Sequence, residues 1–258
     1  MSRGIVRAAR IAACASFGMT IGLGAVSAQS TPEADDGACT SPPPAMAEQA
    51  GMTMATPGTE MGAMPGMDMA SPAVGMDHAS MDFDQMYIDM MVPHHASILA
   101  MAEAALPRLE DERLREIADA IVEAQGQEIE ELRGFREEFY GDPEPMPMDD
   151  GMMAAMGEMM PSMAGTMEEM AFQMDAAAQV AALCAAEDAD LAFIDLTIPH
   201  HEMAIDASRD ALDRATHPEI HAFAQRVIDA QQREIDALGA IRRELYGSAT
   251  PEVVGGGA

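Results

Sequence analysis

Positive charge is what this sequence has least of. Against 44 Asp and Glu there are 14 basic residues, every one an arginine, and the formal net charge is -30. An excess of that size repels phosphate backbones and anionic lipid, which makes nucleic acid a poor partner, and it concentrates cations without choosing among them. Long apolar runs are missing too. The one stretch near the N-terminus, Ile11 to Val26, is short and interrupted by Gly18, Gly22 and Gly24, less than a membrane span requires. Arg3, Arg7 and Arg10 precede it and Val26-Ser27-Ala28 follows, so residues 1–28 read as a secretory signal with the mature chain starting near Gln29. Ile11-Ala12-Ala13-Cys14 is only a faint lipoprotein box, because Arg10 leaves no apolar stretch before it. The expected location is periplasmic or extracellular, with no stable membrane insertion after cleavage.

Cysteine is scarce as well. Removing the signal removes Cys14 and leaves Cys39 and Cys184, an even pair in a compartment where disulfides persist. Either the two are bonded or they are separate thiols available to a soft metal.

No strand pattern occurs anywhere, and what replaces it is a repeat. Residues 84–141 align without a gap on residues 190–247, at an offset of 106. Pro93-His94-His95 falls on Pro199-His200-His201, Ala124-Gln125 on Ala230-Gln231, Glu128-Ile129 on Glu234-Ile235 and Tyr140-Gly141 on Tyr246-Gly247. Each copy carries two helical patterns, the first copy's running from Asp84 to Leu106 and from Glu112 to Tyr140, where Gly141 and then Pro143 supply a stop. Leu114, Ile117, Ala118, Ile121, Leu132 and Phe135 recur at helical spacing, as do Ile220, Phe223, Ala224, Val227, Leu238 and Ile241. A single hairpin cannot bury its own stripe, so the two pack into an all-α four-helix bundle with pseudo-twofold symmetry over 83–247. Residues 29–82 are rich in Met, Pro and Gly and read as disordered, as does 248–258. The linker 142–189 is methionine-rich; its first part, 142–165, does not read as core, whereas 166–189 predicts one additional helix.

Adjacent histidines at matched positions of two helices carry the chemistry. Each pair follows a proline, which frees the carbonyl four residues earlier, that of Asp89 or Asp195, and predicts a kink there. Helical spacing places Met90 and Met101 on the face of His94, and Met91 and Asp84 on that of His95. Imidazole accepts several divalent metals, while thioether sulfur favours Cu(I) or its analogue Ag(I), so the mixture points to copper. Glu128 and Glu234 lie on the apolar stripe of the facing helices and need a partner: either an imidazole N–H or the metal itself. The bland alternative is a buried His–Glu network that merely joins helices. The second copy is poorer in sulfur, with Leu196, Thr197 and Ala207 in place of the three methionines, but it adds Glu202 and Met203, and His217 and His221 at a spacing suited to a borderline ion. Most of the 27 methionines fall in two windows, 46–91 and 146–174. In 152–174 they can be flexible core filler; in the Pro- and Gly-broken first window packing offers no reason for them, whereas several thioethers can converge on Cu(I).

Tyr87-Ile88-Asp89-Met90-Met91-Val92-Pro93-His94-His95 and Phe193-Ile194-Asp195-Leu196-Thr197-Ile198-Pro199-His200-His201 resemble the signature of the secreted "domain of unknown function 305" family. The resemblance covers both repeats and implies a ferritin-like four-helix bundle and copper or silver binding outside the cytoplasm. It implies ligand roles for His94, His95, His200 and His201 with Met90, Met91 and Met101. Leu196-Thr197 depart from the pattern where a methionine is expected, and Phe135 or Ile241 stands where the family often has Trp. The expected function is therefore copper sequestration or transfer, with Asp89, Glu128, Asp195, Met203 and Glu234 as further candidate ligands and a copper-transfer protein as a partner. A carboxylate-bridged oxidase requires Glu-x-x-His pairs, and none occurs. A structural or interaction bundle is the remaining rival.

Overall fold

The computed structural model describes Cys39, residues 81–163 and residues 165–250. The expected signal sequence, the methionine-rich segment up to residue 80 apart from Cys39, and the last eight residues lie outside the described residues. Among the described residues there are seven helices and no strand: α1 (Phe83–Ala105), α2 (Glu112–Tyr140), α3 (Asp150–Met159), α4 (Met167–Met174), α5 (Ala176–Ala185), α6 (Ala189–Arg214) and α7 (Pro218–Tyr246).

The boundaries follow local chemistry repeated in both copies. Asp82 and Asp188 cap α1 and α6 through bonds from the amides of Gln85 and Leu191. Tyr140 and Tyr246 donate back to those same aspartates, tying the end of each hairpin to its beginning. Gly141 and Gly247 end α2 and α7 at φ 81 and 82, a left-handed conformation that glycine adopts without a Cβ penalty. Pro93 and Pro199 sit inside α1 and α6, and both helices continue through them.

α1–α2 and α6–α7 are the two hairpins of a four-helix bundle, as the repeat predicts, in the ferritin-like form that the resemblance implies. They clasp each other reciprocally. The Asp84 carboxylate on α1 accepts from the backbone amides of Thr216 and His217 in the α6–α7 connection, and Asp190 on α6 accepts from those of Glu110 and Asp111 in the α1–α2 connection. The apolar core divides at the middle of the bundle. One part joins Phe83 to Val92 of α1 with Leu132 of α2, Ala204 and Ala207 of α6, and Ile220 to Val227 of α7. The other exchanges the roles: Ile98 to Ala105, Leu114 to Ile121, Phe193 to Ile198, and Leu238 with Ile241. The two Pro-His-His motifs fall at the division.

The linker differs from expectation in two ways. Residues 150–159 form a helix capped by Asp149, and Met152, Met153 and Met156 are buried with Met160 and Met163 against the first part of the core. These methionines act as the adaptable filler that a groove of irregular shape requires. Further on, two helices replace the single one. Asp175 closes α4 in an extended conformation and caps α5 by accepting from the amide of Ala178, which breaks the run.

Cys39 and Cys184 are disulfide-bonded, with Cα atoms 5.5 Å apart. This resolves the alternative of separate thiols, since neither sulfur is a free thiolate. Arg108 reinforces the attachment of α5 by donating to the carbonyls of Leu183 and Ala186 at 2.6 and 2.8 Å. The crosslink spans 145 positions of sequence, and closing so long a loop restricts the unfolded chain strongly. Cys39→Ser/Cys184→Ser should lower stability by about 2–4 kcal/mol, read as a lower urea midpoint; an unchanged midpoint would show that the bond contributes nothing.

Candidate metal centre

Four imidazoles occupy the middle of the bundle, all fully buried: His94, His95, His200 and His201. The rings of His94 and His200, equivalent positions in the two copies, face each other with centroids 3.7 Å apart and planes inclined at 34°. They meet where the pseudo-twofold axis must pass.

The outer pair is held by carboxylates. His95 Nε2 lies 3.0 Å from Glu128 Oε2, and His201 Nε2 lies 2.7 Å from Glu234 Oε2. An ionised carboxylate can only accept, so each Nε2 carries a hydrogen, and in the neutral ring the lone pair is then on Nδ1. Neither Nδ1 has a partner. A carboxylate that fixes the tautomer and raises the basicity of the free nitrogen is the usual support of a metal-binding histidine.

The inner pair has lost its charge. Burial, and then the neighbouring imidazoles, push His94 and His200 well below the usual histidine value. Both are neutral at pH 7, with lone pairs available. His94 has no partner at either nitrogen, and His200 has none at Nδ1. The amides of Gln125 and Gln231, three residues before the two glutamates, and the hydroxyl of Thr197 are buried without partners as well. Each such atom costs about 1–3 kcal/mol when nothing satisfies it. Nitrogen lone pairs such as those of the four histidines are what a cation can satisfy.

Depressed histidines make the metal-free fold sensitive to acid. Because the unfolded chain binds protons that the folded one does not, the contribution of His94 and His200 is complete above about pH 6.5 and is lost as pH falls below it. The slope is up to about 1.4 kcal/mol per pH unit for each ring. Thermal melts of metal-free protein from pH 7.5 to 5.5 should show a falling Tm, and a level Tm would mean that the rings are not held neutral.

Sulfur is placed unevenly along the helices that carry these histidines. Met90 and Met91 are buried one turn before the first histidine pair, and Met203 shares their part of the core. Met101, two turns beyond His94, is buried in the other part. Glu202 is exposed in the wall of a cleft of about 540 Å³ that Met203 also lines, and partial desolvation, then the neighbouring Asp206, raises its carboxyl. Among the described residues no three His, Cys, Asp or Glu side chains converge as a closed site for a hard or borderline cation would require. The donor set fits a soft ion of low coordination number held by imidazole and thioether.

Other sequence candidates are placed elsewhere. Asp89 is fully buried, but its carboxylate accepts from Arg136 Nε at 2.5 Å, and Asp195 accepts from Arg242 Nε at 2.6 Å. Each aspartate anchors the end of the facing helix instead of turning to the histidines. His217 and His221 do not act together: His217 Nδ1 is 2.5 Å from Asp84 and its ring stacks on Phe139, while His221 Nε2 bonds the Ala215 carbonyl. The arginine partners were not anticipated, although Arg136 and Arg242 stand at the repeat offset and could have been read from it.

The class this defines is an all-helical bundle with two imidazoles stacked at its centre and a second, carboxylate-bonded pair beside them. The chain belongs to the DUF305 family, "domain of unknown function", whose model matches residues 25–136 and 84–242 in two overlapping spans. It is similar to CopM in its Cu(I)-bound form, at 27% identity over 64% of this chain and 98% of that one, with a TM-score of 0.50. It shares its fold with a DUF305 protein from Streptomyces coelicolor, at 21% identity over 66% of this chain and 98% of that one, with a TM-score of 0.52. Comparison with curated proteins gives no match. No helix among the described residues is long and apolar enough to cross a membrane.

Proposed function

We propose that this protein binds Cu(I), with Ag(I) as its analogue, outside the cytoplasm, and sequesters the ion or passes it to a copper-transfer protein. Each ion takes a few donors, with nitrogen drawn from among His94, His95, His200 and His201 and sulfur from among Met90, Met91, Met101 and Met203. Glu128 and Glu234 orient the outer histidines; Asp89 and Asp195 hold the hairpins together. The observation that carries this reading is the layer of buried imidazole nitrogens without hydrogen-bond partners. The similarity to CopM, a protein solved with Cu(I) bound, supports copper as the metal, and the thioethers favour the Cu(I) state. No catalytic step is required.

The test is an anaerobic titration of the mature protein with Cu(I) against a chromophoric chelator. The protein should withdraw Cu(I) from the chelator. Failure to compete would leave a structural bundle in which the bonds from His95 to Glu128 and from His201 to Glu234 serve only to join helices.

A further inference from the structure

Ser97 stands one turn past His94 on α1, and the repeat does not duplicate it: the residue 106 positions on is Met203. Its hydroxyl is fully buried between three groups. Oγ lies 2.5 Å from the carbonyl of Gln173, 2.7 Å from the carbonyl of His94 and 2.9 Å from His200 Nε2. His200 Nε2 is in turn 3.1 Å from the His94 carbonyl.

A hydroxyl has one hydrogen and can direct it to one of these neighbours. The shortest contact is to Gln173, in the last turn of α4, where carbonyls lack a helical donor. Once the hydrogen points there, Oγ offers only lone pairs to His200. The His94 carbonyl also only accepts. Both groups facing His200 Nε2 therefore require it to carry the hydrogen, which leaves His200 Nδ1, without a partner, as the lone-pair nitrogen. The corresponding bond to His94 would have to come from Met203, which has no hydroxyl, and both nitrogens of His94 lack partners.

We infer that Ser97 is a positioning residue: it locks His200 as the Nε2–H tautomer with Nδ1 presented as a donor, couples that histidine to the methionine-rich linker through Gln173, and leaves His94 unlocked. The two stacked rings are thus unequal, one fixed and one able to exchange tautomers and adjust to an arriving ion. The consequence for metal binding rests on the Cu(I) reading above; the tautomer assignment does not.

Long-range 1H–15N spectra of histidine-labelled, metal-free protein test it directly. In the wild type, His200 should appear as a single Nε2–H tautomer and His94 as a mixture. Ser97→Ala leaves only the longer contact to the His94 carbonyl, so His200 should become a mixture, and Ser97→Thr, which restores the hydroxyl, should recover the single form. In Cu(I) competition Ser97→Ala should lose about 10–100-fold in affinity, as other supporting partners of metal ligands do, and Ser97→Thr should regain it. An Nδ1–H form of His200 in the wild type, or an unchanged His200 in Ser97→Ala, overturns the inference. Tautomer changes as described in a protein that fails to take Cu(I) would uphold the lock and sink the copper reading alone.

Discussion

Arg136→Met is expected to destabilise the metal-free bundle by about 3–5 kcal/mol, the usual consequence of leaving one member of a buried ion pair alone, while the equivalent Arg242→Met costs about 1–2 kcal/mol. The repeat provides this comparison within one molecule. Both arginines are almost wholly buried, but the Asp89 side chain is fully shielded from solvent and that of Asp195 is 28% exposed. Water can take over at Asp195 what Arg242 supplied. At Asp89 it cannot. Burial already pushes the Asp89 carboxyl up, against the pull of Arg136, so without the arginine the folded state should take up a proton there. A folded pKa above the unfolded one gives stability that is present at low pH and lost as pH rises through the folded value; the Arg136→Met deficit should accordingly be larger at pH 7 than at pH 4. Urea denaturation at the two pH values reads both effects, and Asp89→Asn/Arg136→Met should recover part of the loss by removing the stranded charge. Equal losses at the two arginines would show that burial of the carboxylate does not decide the energetics.

The bundle was legible because duplication writes tertiary structure into sequence. A gap-free offset requires that whatever one hairpin does the other does too, and the structure keeps that requirement in the His–Glu bonds, the Asp–Arg pairs and the Tyr–Asp tethers. Glu128 could be assigned a buried partner from its place on an apolar stripe alone. Asp89 could not, because its neighbours along α1 suggest a ligand and only the packing of α2 brings Arg136 to it. The linker was harder for a different reason: methionine that fills a groove and methionine that waits for a metal have the same composition, and the glycines of 142–165 resemble those of a loop. What separates them is Asp149 capping α3 and a core groove for Met152 and Met156 to enter. Ser97 escapes a reading based on repeats because it is where the repeat fails.

Removing the first histidine pair, His94→Ala/His95→Ala, should weaken Cu(I) binding at least about a hundredfold, on the order of 2.7 kcal/mol, because it deletes one ring of the central stack and the histidine that Glu128 orients. A more discriminating change keeps every histidine. Met90→Leu/Met91→Leu removes both sulfurs at fully buried positions with side chains of nearly the same volume, an exchange that cores usually tolerate at under about 1.5 kcal/mol, so the loss is one of sulfur rather than of packing. Cu(I) affinity should fall by about tenfold or more, at roughly 1.4 kcal/mol per tenfold, while the thermal stability of the metal-free protein changes little. The opposite change, Leu196→Met/Thr197→Met at the equivalent positions of copy two, removes a buried hydroxyl that lacks a partner and should raise Cu(I) affinity, unless the added volume strains the core. Competition titrations of the three variants beside the wild type decide between donors. If the sulfur-poor variant binds Cu(I) as tightly as the wild type, imidazole nitrogen holds the ion unaided and the methionines of α1 are packing; if it alone retains the fold and loses the ion, selectivity for a soft metal resides in Met90 and Met91.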